Sequence, residues 1–418
     1  MHKDIIVSIE MDGEIIPVGY LWCHVRKNGK ESASFEYHPD WLNHKDRFAL
    51  EPALSLGKGA FHTANHTSLF GSLGDSAPDR WGRILMKRAF AQASKEKNES
   101  VRTLNEIDFL LGVCDFTRQG ALRFHDKGED SFLASDDERK IPPLVELPKL
   151  LNASDRFLED NEDVADLRIL LAPGSSLGGA RPKASVIDKE GNLCIAKFPR
   201  KDDTYHVVQW EAVALTLAKK AGLHVPEWNM ETVEDTPIML LKRFDRNGEE
   251  RIPFLSAMSM LNASDNEQRS YLEIAYAILE YGAEPNKDLE ELWRRIVFSV
   301  LISNTDDHMR NHAFLYESQA GWRLSPVYDV NPTSLEDKPR ILSTCIDYDD
   351  STASLDLVIS VRGEFRVSKE RAREIISEVA QAVAQWEKVA QSFSLKKNEI
   401  DRMSSAFCHA DLEQALAL

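Results

Sequence analysis

The chain has 418 residues and a mass of 47.3 kDa, too much for one small core and enough for two or three domains of about 150 residues each. Hydrophobic residues at 43% and charged residues at 28% exclude wholesale disorder, and no run approaches the roughly 18 apolar residues of a membrane helix. With 68 Asp and Glu against 51 Lys and Arg the net charge is −17, a field that opposes nonspecific nucleic-acid binding and makes the chain alone a poor DNA-binding candidate.

The opening MHKDIIVSIEMDGE lacks a basic-then-apolar leader, so no secretory signal is expected. Alternating apolar and polar residues through IIVSIEMDGEIIPVGYLWCHVRKNGKESASFEY, with turn signals at Asp12-Gly13 and Asn28-Gly29, predict a small antiparallel sheet. PDRWGRILMKRAFAQAS then opens on a proline and continues at helical spacing through Trp81, Ile84, Leu85 and Phe90. Residues 126–166 hold 13 acidic and 5 basic side chains, nearly half of the net charge. Pro142 and Pro143 break them, and a short amphipathic helix follows in LVELPKLLNASDRFLED, so the stretch reads as a connector with a solvated acidic surface. Further on, KASVI, DKEGN and LCIAKF predict a hairpin over 183–198, and VQWEAVALTLAKKAG a helix closed by Gly222. The remainder is helical by period: QRSYLEIAYAILEYG, DLEELWRRIVFSVLIS and one long helix over ERAREIISEVAQAVAQWEKVAQSF. Strands first and helices later, without βαβ alternation, indicate an α+β, two-lobed arrangement. The five cysteines, Cys23, Cys114, Cys194, Cys345 and Cys408, show no CxxC spacing and suit free thiols in a reducing cytosol.

Four segments carry candidate chemistry. PGSSLGGARPK (173–183) places glycines at 174, 178 and 179 before the predicted hairpin, where backbone can bend tightly toward phosphate oxygens. It is not a P-loop, because Ala180 stands where the lysine should be, and a glycine-rich surface turn is the plain alternative. IAKFP puts Lys197 in an apolar strand, where an ammonium needs an anion unless it snorkels from an edge. Glu211, early in the next helix, is a possible partner as in protein kinases, or simply a surface residue. ISNTDDHMRNHAFLY (302–316) follows an apolar helix and holds Asp306 and Asn311 in D-x4-N spacing. Kinase catalytic loops use that spacing because one short loop must supply both the acceptor of the substrate hydroxyl proton and a magnesium ligand. SPVYDV follows a hairpin-like stretch and places Asp329, a second hard oxygen donor, 23 residues beyond Asp306. Two other readings stay open: His308 and His312 as zinc ligands four apart, and Asp306, Asp307 and His308 as part of a metal-dependent phosphohydrolase. The order of glycine loop, strand lysine, D-x4-N and late aspartate favours phosphoryl transfer.

In SLGGARPKA, AKFP, LKRFDR, SNTDDHMRNHAF and SPVYDV, taken in order, the sequence resembles the HipA family, the serine/threonine kinase toxins of bacterial type II toxin–antitoxin systems. FEYHPDWL, SLGDSAPDRWGR and DFLLGVCDFTRQGALRF extend the resemblance to the family's amino-terminal module. It implies a two-lobed protein-kinase-like α+β fold with a β-rich N-terminal module (1–125), the acidic connector (126–166), a kinase N-lobe (167–245) and an all-helical C-lobe (246–418). It implies ATP and Mg2+ as cofactors, with Asp306 as catalytic base and Asn311 and Asp329 as magnesium ligands. Nucleotide contacts would fall to Gly178, Gly179, Ala180, Arg181, Lys183 and Lys197, to Lys242, Arg243 and Phe244 of the linker against the adenine, and to His308 and Tyr328. Ser176 would be the autophosphorylated, self-inhibiting serine, with Ser175 beside it. The family also implies a cytoplasmic kinase without membrane contact and a protein substrate, such as an aminoacyl-tRNA synthetase or another translation component. A small helix-turn-helix antitoxin of HipB type would carry any DNA contact. FLSAMSMLNASDNEQRSYLEI departs from better-known members after the linker and bears on substrate choice. The alternatives are a non-catalytic nucleotide-binding scaffold or corepressor partnering such an antitoxin, and a small-molecule kinase.

Overall fold

Strand β1 (His2–Met11) returns as β2 (Glu14–Val25) through Asp12 and Gly13, with φ of +51° and +76°. Two successive positive φ values match the twist of the paired strands, and asparagine, aspartate and glycine adopt them most readily. With β3 (Glu31–Tyr37), β4 (Ala60–His62) and β5 (Leu122–Asp126) they form an antiparallel sheet in the order β4-β3-β2-β1-β5. One face is buried by Ile5, Val7, Ile9, Leu21 and Phe35. The computed structural model describes residues 2–25, 29–64, 67–135, 141–171, 179 and 181–418. The chain divides into two compact units, Met1–Lys201 with Glu231–Leu255, and Asp202–Met230 with Ser256–Leu418.

In the first unit, Asp79 caps helix α1 (Arg80–Glu96), its side chain accepting from the Gly82 amide at 2.8 Å. The second half of the acidic stretch forms α2 (Leu147–Leu158) and α3 (Val164–Leu171). Leu147, Leu150, Leu151, Phe157, Leu167 and Leu170 from these helices join Trp81, Val186, Ala196, Phe198 and Leu240 in one core. The apolar period of LPKLLNASDRFL therefore packs into the fold and does not run as an exposed connector. The predicted hairpin is present as β6 (Lys183–Ile187) and β7 (Leu193–Lys197), paired antiparallel. With β8 (Trp228–Val233) and β9 (Thr236–Lys242) it makes a second sheet in the order β6-β7-β9-β8.

The second unit begins with α4 (Val207–Lys220), which ends where Gly222 adopts φ +78° and the Leu223 amide reaches back to the Ala218 carbonyl. Helices α5 (Tyr271–Tyr281) and α6 (Pro285–Leu301) follow. A hairpin of β10 (Ala313–Ser318) and β11 (Gly321–Leu324) interrupts the otherwise helical unit at the stretch that reads as hairpin-like in the sequence. The single long helix predicted over 370–393 is two, α7 (Lys369–Val383) and α8 (Trp386–Ser392). The break lets Trp386 stack flat on Phe407, ring centroids 4.7 Å apart, a tertiary contact that helical periodicity does not encode. Among the described residues no helix is long and apolar enough to cross a membrane.

Candidate active site

In the second unit the candidate residues hang from the end of α6. Its last turn is buried, and the chain leaves it through Ser303, whose φ is +53° and whose hydroxyl donates to the Ala406 carbonyl at 2.8 Å. Asn304 is buried beside it and accepts from the Asn331 amide. The carbonyl of Thr305 accepts from both the amide and the hydroxyl of Ser343, each at 3.0 Å. The loop is thus braced from below before the two aspartates.

The aspartates face opposite ways. Asp306 is exposed, with 68% of its side chain open to solvent and the Lys338 ammonium 3.8 Å away. Asp307 is buried, accepting from the Tyr271 hydroxyl at 2.6 Å and the Ser299 hydroxyl at 3.3 Å, with His312 Nε2 at 3.0 Å. Burial pushes the Asp307 carboxyl up, but His312 and the Tyr271 hydroxyl more than offset it and hold the group below the usual carboxylate range. Burial, with the Asp307 charge beside it, raises the Tyr271 hydroxyl well above its ordinary value. Asp307 and Tyr271 therefore fix the loop, and Asp306 is its solvent-facing carboxylate. Sequence reading missed the inward pair because Tyr271 lies 36 residues upstream.

Asn311 sits in a short turn, Met309–Asn311, that follows His308. Its Nδ2 donates to the Asp306 carbonyl at 3.0 Å, and its own amide donates to the His308 carbonyl at 2.8 Å. Since the acceptor is a carbonyl, the side-chain orientation is fixed, and Oδ1 is the atom turned away from the loop. D-x4-N spacing is thereby explained: the turn must be short enough for residue 311 to bond back to residue 306. Tyr328 donates to the Arg310 carbonyl at 2.6 Å, tying SPVYDV to the same loop. Asp329 follows with φ +57°, a left-handed conformation that aspartate enters more readily than most side chains. His308 and His312 do not share a helix, His312 being buried edge-on to the Tyr271 ring. Among the described residues no three His, Cys, Asp or Glu side chains gather as a metal site. Asn311 Oδ1 and the Asp329 carboxylate are hard oxygens, the donor type that magnesium takes. Glu211 is buried in α4, not a surface residue.

In the first unit the candidate residues lie along the sheet that begins at β6. Gly179 has φ +99°, a region glycine alone enters freely, and Arg181 is half-buried. Gly178, Ala180, Ser175 and Ser176 lie outside the described residues. Lys183 and Lys197 occupy directly opposed positions on β6 and β7. Lys197 is half-buried, whereas Lys183 is buried and its ammonium meets Asp79 at 2.8 Å, both side chains 4% exposed. The Lys183 ammonium is thus engaged in an internal ion pair. Lys242, the last residue of β9, is half-buried and pairs in register with Cys194. Arg243 is turned fully inward: Nε donates to Asp245 at 2.7 Å, Nη1 to the Thr117 carbonyl at 2.6 Å, and Nη2 to Asp245 and the Arg118 carbonyl. Its guanidinium cannot lie against an adenine in this arrangement; only its backbone, whose amide donates to Leu193, belongs to the strand edge. Phe244 is half-buried and stacks on Phe254 at 6.5 Å.

Two units, one carrying an antiparallel sheet after a glycine-rich stretch and the other a helical body with a braced Asp–Asn loop, constitute a two-lobed α+β fold of kinase type. A HipA in complex with HipB and operator DNA, from Shewanella oneidensis, has this fold: the TM-score is 0.64 at 16% identity, covering 99% of this chain and 96% of that one. The model of the HipA-like C-terminal domain matches residues 175–386, just over half of the sequence, and the chain belongs to that family. A Haemophilus influenzae protein named "Putative kinase" is 26% identical over 197 residues, 41% of this chain and 56% of that protein. A Sinorhizobium fredii protein named "Putative kinase Y4dM" is 28% identical over 159 residues, 34% of this chain and 38% of that one. The chain thus spans about half or less of the length of these curated relatives.

Proposed function

We propose that the chain is an ATP- and magnesium-dependent serine/threonine protein kinase of HipA toxin type, acting in the cytoplasm on a protein target of translation. One observation carries the reading: a short loop presents Asp306 to solvent while its own carbonyl orients the Asn311 amide, leaving Asn311 Oδ1 and Asp329 as oxygen donors. The relatives named as kinases and the family match support it. The solved HipA–HipB–operator complex supports a helix-turn-helix antitoxin as partner, and the net charge of −17 favours DNA being reached through that partner. Five free cysteines suit a reducing compartment.

In this reading the oxygen of a substrate hydroxyl attacks the γ-phosphorus in line, the bond to the β–γ bridging oxygen breaks, and ADP leaves. Asp306 accepts the hydroxyl proton. Lys197 holds the phosphates, while Asn311 and Asp329 are the residues for magnesium, which when bound neutralises phosphate charge. Because the transition state is loose, positioning and charge stabilisation supply most of the acceleration. Phosphate on Ser176 would add about −2 charge beside the nucleotide phosphates and repel ATP, a self-inhibition.

The test is intact-mass spectrometry after incubation with ATP and magnesium, beside Asp306→Ala. One added phosphate, mapped to Ser176 and absent in the variant, is the expected result. Asp306 is exposed, so the variant should fold with a stability change within about 0.5 kcal/mol. Transfer by a folded Asp306→Ala protein would remove the base from this assignment. A chain that starts unphosphorylated, binds ATP and transfers to neither itself nor added protein would be the nucleotide-binding scaffold.

A further inference from the structure

We propose that Lys183 is a positioning residue and not a phosphate ligand, and that Asp79, from the N-terminal segment, fixes the point where the glycine-rich stretch enters β6. The inference rests on the nucleotide-binding reading of that stretch and names a part of the site that the glycine-rich sequence does not contain.

Lys183 is held at both ends. Its ammonium pairs with one Asp79 oxygen at 2.8 Å, and its carbonyl accepts from the Trp81 indole at 3.1 Å. The other Asp79 oxygen caps α1, and Trp81 is buried edge-on against Phe157, so both anchors are themselves fixed. The neighbouring backbone is secured as well, since the Phe198 amide donates to the Pro182 carbonyl at 3.0 Å. The register adds the electrostatic reason. Residues directly opposed on antiparallel strands share a face with Cβ atoms about 4.5–5.5 Å apart, and like charges there repel. Lys183 and Lys197 are such a pair, and the Asp79 carboxylate neutralises the buried member. A cation already satisfied by a buried carboxylate would have to give up that partner to reach a phosphate.

The experiment is pulsed acetylation of lysines in the full-length chain, read by peptide mass spectrometry with and without ATP and magnesium. Lys183 is expected to react at least tenfold more slowly than exposed Lys45 and to be indifferent to ATP, while ATP slows Lys197. Asp79→Asn keeps an N-cap side chain and removes only the charge; in it, Lys183 should lose protection at least tenfold, because the ion pair that holds its ammonium inward is gone. Asp79→Asn/Lys183→Met, with both charges gone, should keep the ratio of ATP to adenosine affinity within threefold of the parent by calorimetry. Rapid labelling of Lys183 that ATP suppresses, or a tenfold fall in that ratio, overturns the proposal. Should the double variant not fold, the labelling of the parent chain decides alone. If Lys183 is protected as expected but neither Lys197 labelling nor calorimetry responds to ATP, the nucleotide reading fails while the Asp79 anchor stands.

Discussion

Replacing Asp245 with Asn should destabilise the first unit more than any single surface charge change. Asp245 accepts from Arg243 Nε at 2.7 Å, from Arg246 Nη1 at 2.9 Å and from the Gly120 amide at 2.7 Å, and also from Arg243 Nη2. The Arg243 side chain is 0% exposed and that of Arg246 7%. The substitution preserves shape but leaves two guanidinium groups out of water without their shared anion, and turns an amide N–H₂ toward donors. Breaking a buried pair by removing one partner typically costs about 3–5 kcal/mol. At about 2–4 °C per kcal/mol for a unit of this size, the apparent Tm should fall by roughly 6–20 °C. Urea unfolding followed by tryptophan fluorescence measures it, with Asp46→Asn as control. Asp46 faces Lys45 at 3.8 Å on the surface and should change stability by less than about 0.5 kcal/mol. A loss at Asp245 no larger than at Asp46 would refute the claim that these arginines depend on this carboxylate.

Acid should reach the same site. Burial pushes the Asp245 carboxyl up, but Arg243 and Arg246 reverse this and hold it far below the usual range, so its contribution is complete above about pH 4 and lost as pH falls further. Asp245→Asn should therefore unfold with a shallower dependence on pH below 4. Glu51 has the opposite sign: burial pushes it up to about 7 although it accepts from the Ser72 amide. The folded state then holds a proton that the unfolded state releases, and stability declines as pH rises from about 4.5 to 7. Glu51→Gln should flatten that decline by about 3 kcal/mol in urea titrations at pH 5 and pH 8, and an unchanged slope would refute it. Gly321 has φ +124°, and a Cβ there would collide with the Tyr281 carbonyl oxygen. Gly321→Ala should cost about 1–3 kcal/mol by thermal melt, whereas Gly363→Ala, in open space, should be nearly silent.

Local signals were the legible ones. Asp12-Gly13 marks a hairpin because the turn needs two positive φ values, and D-x4-N marks the loop because Asn311 must bond back to Asp306. The α+β class and the hairpin over 183–198 follow from period and turn chemistry in the same way. What was not legible depends on distant partners. The ion pair of Lys183 joins it to Asp79, 104 positions earlier, and the Arg243 side chain spends its donors on Thr117 and Asp245, partners that no local pattern announces. Trp386 breaks a helix that its own segment would continue, because Phe407 offers a stacking surface. The acidic excess of 126–166 concealed the apolar stripe through which α2 and α3 enter the core.

The threading of the two units constrains how the chain is made. The first unit needs Glu231–Leu255, yet residues 202–230 are synthesised before that segment. Until β9 emerges, β7 has an open edge where its central neighbour belongs. At about 5–20 residues per second, the 45 residues from Lys197 to Lys242 keep that edge uncovered for roughly 2–9 s on the ribosome. Unpaired strand edges invite pairing with another chain. A nascent chain stalled between those positions is accordingly the species most prone to cross-pair with its neighbours on a polysome, and no single proteolytic cut can release either unit intact.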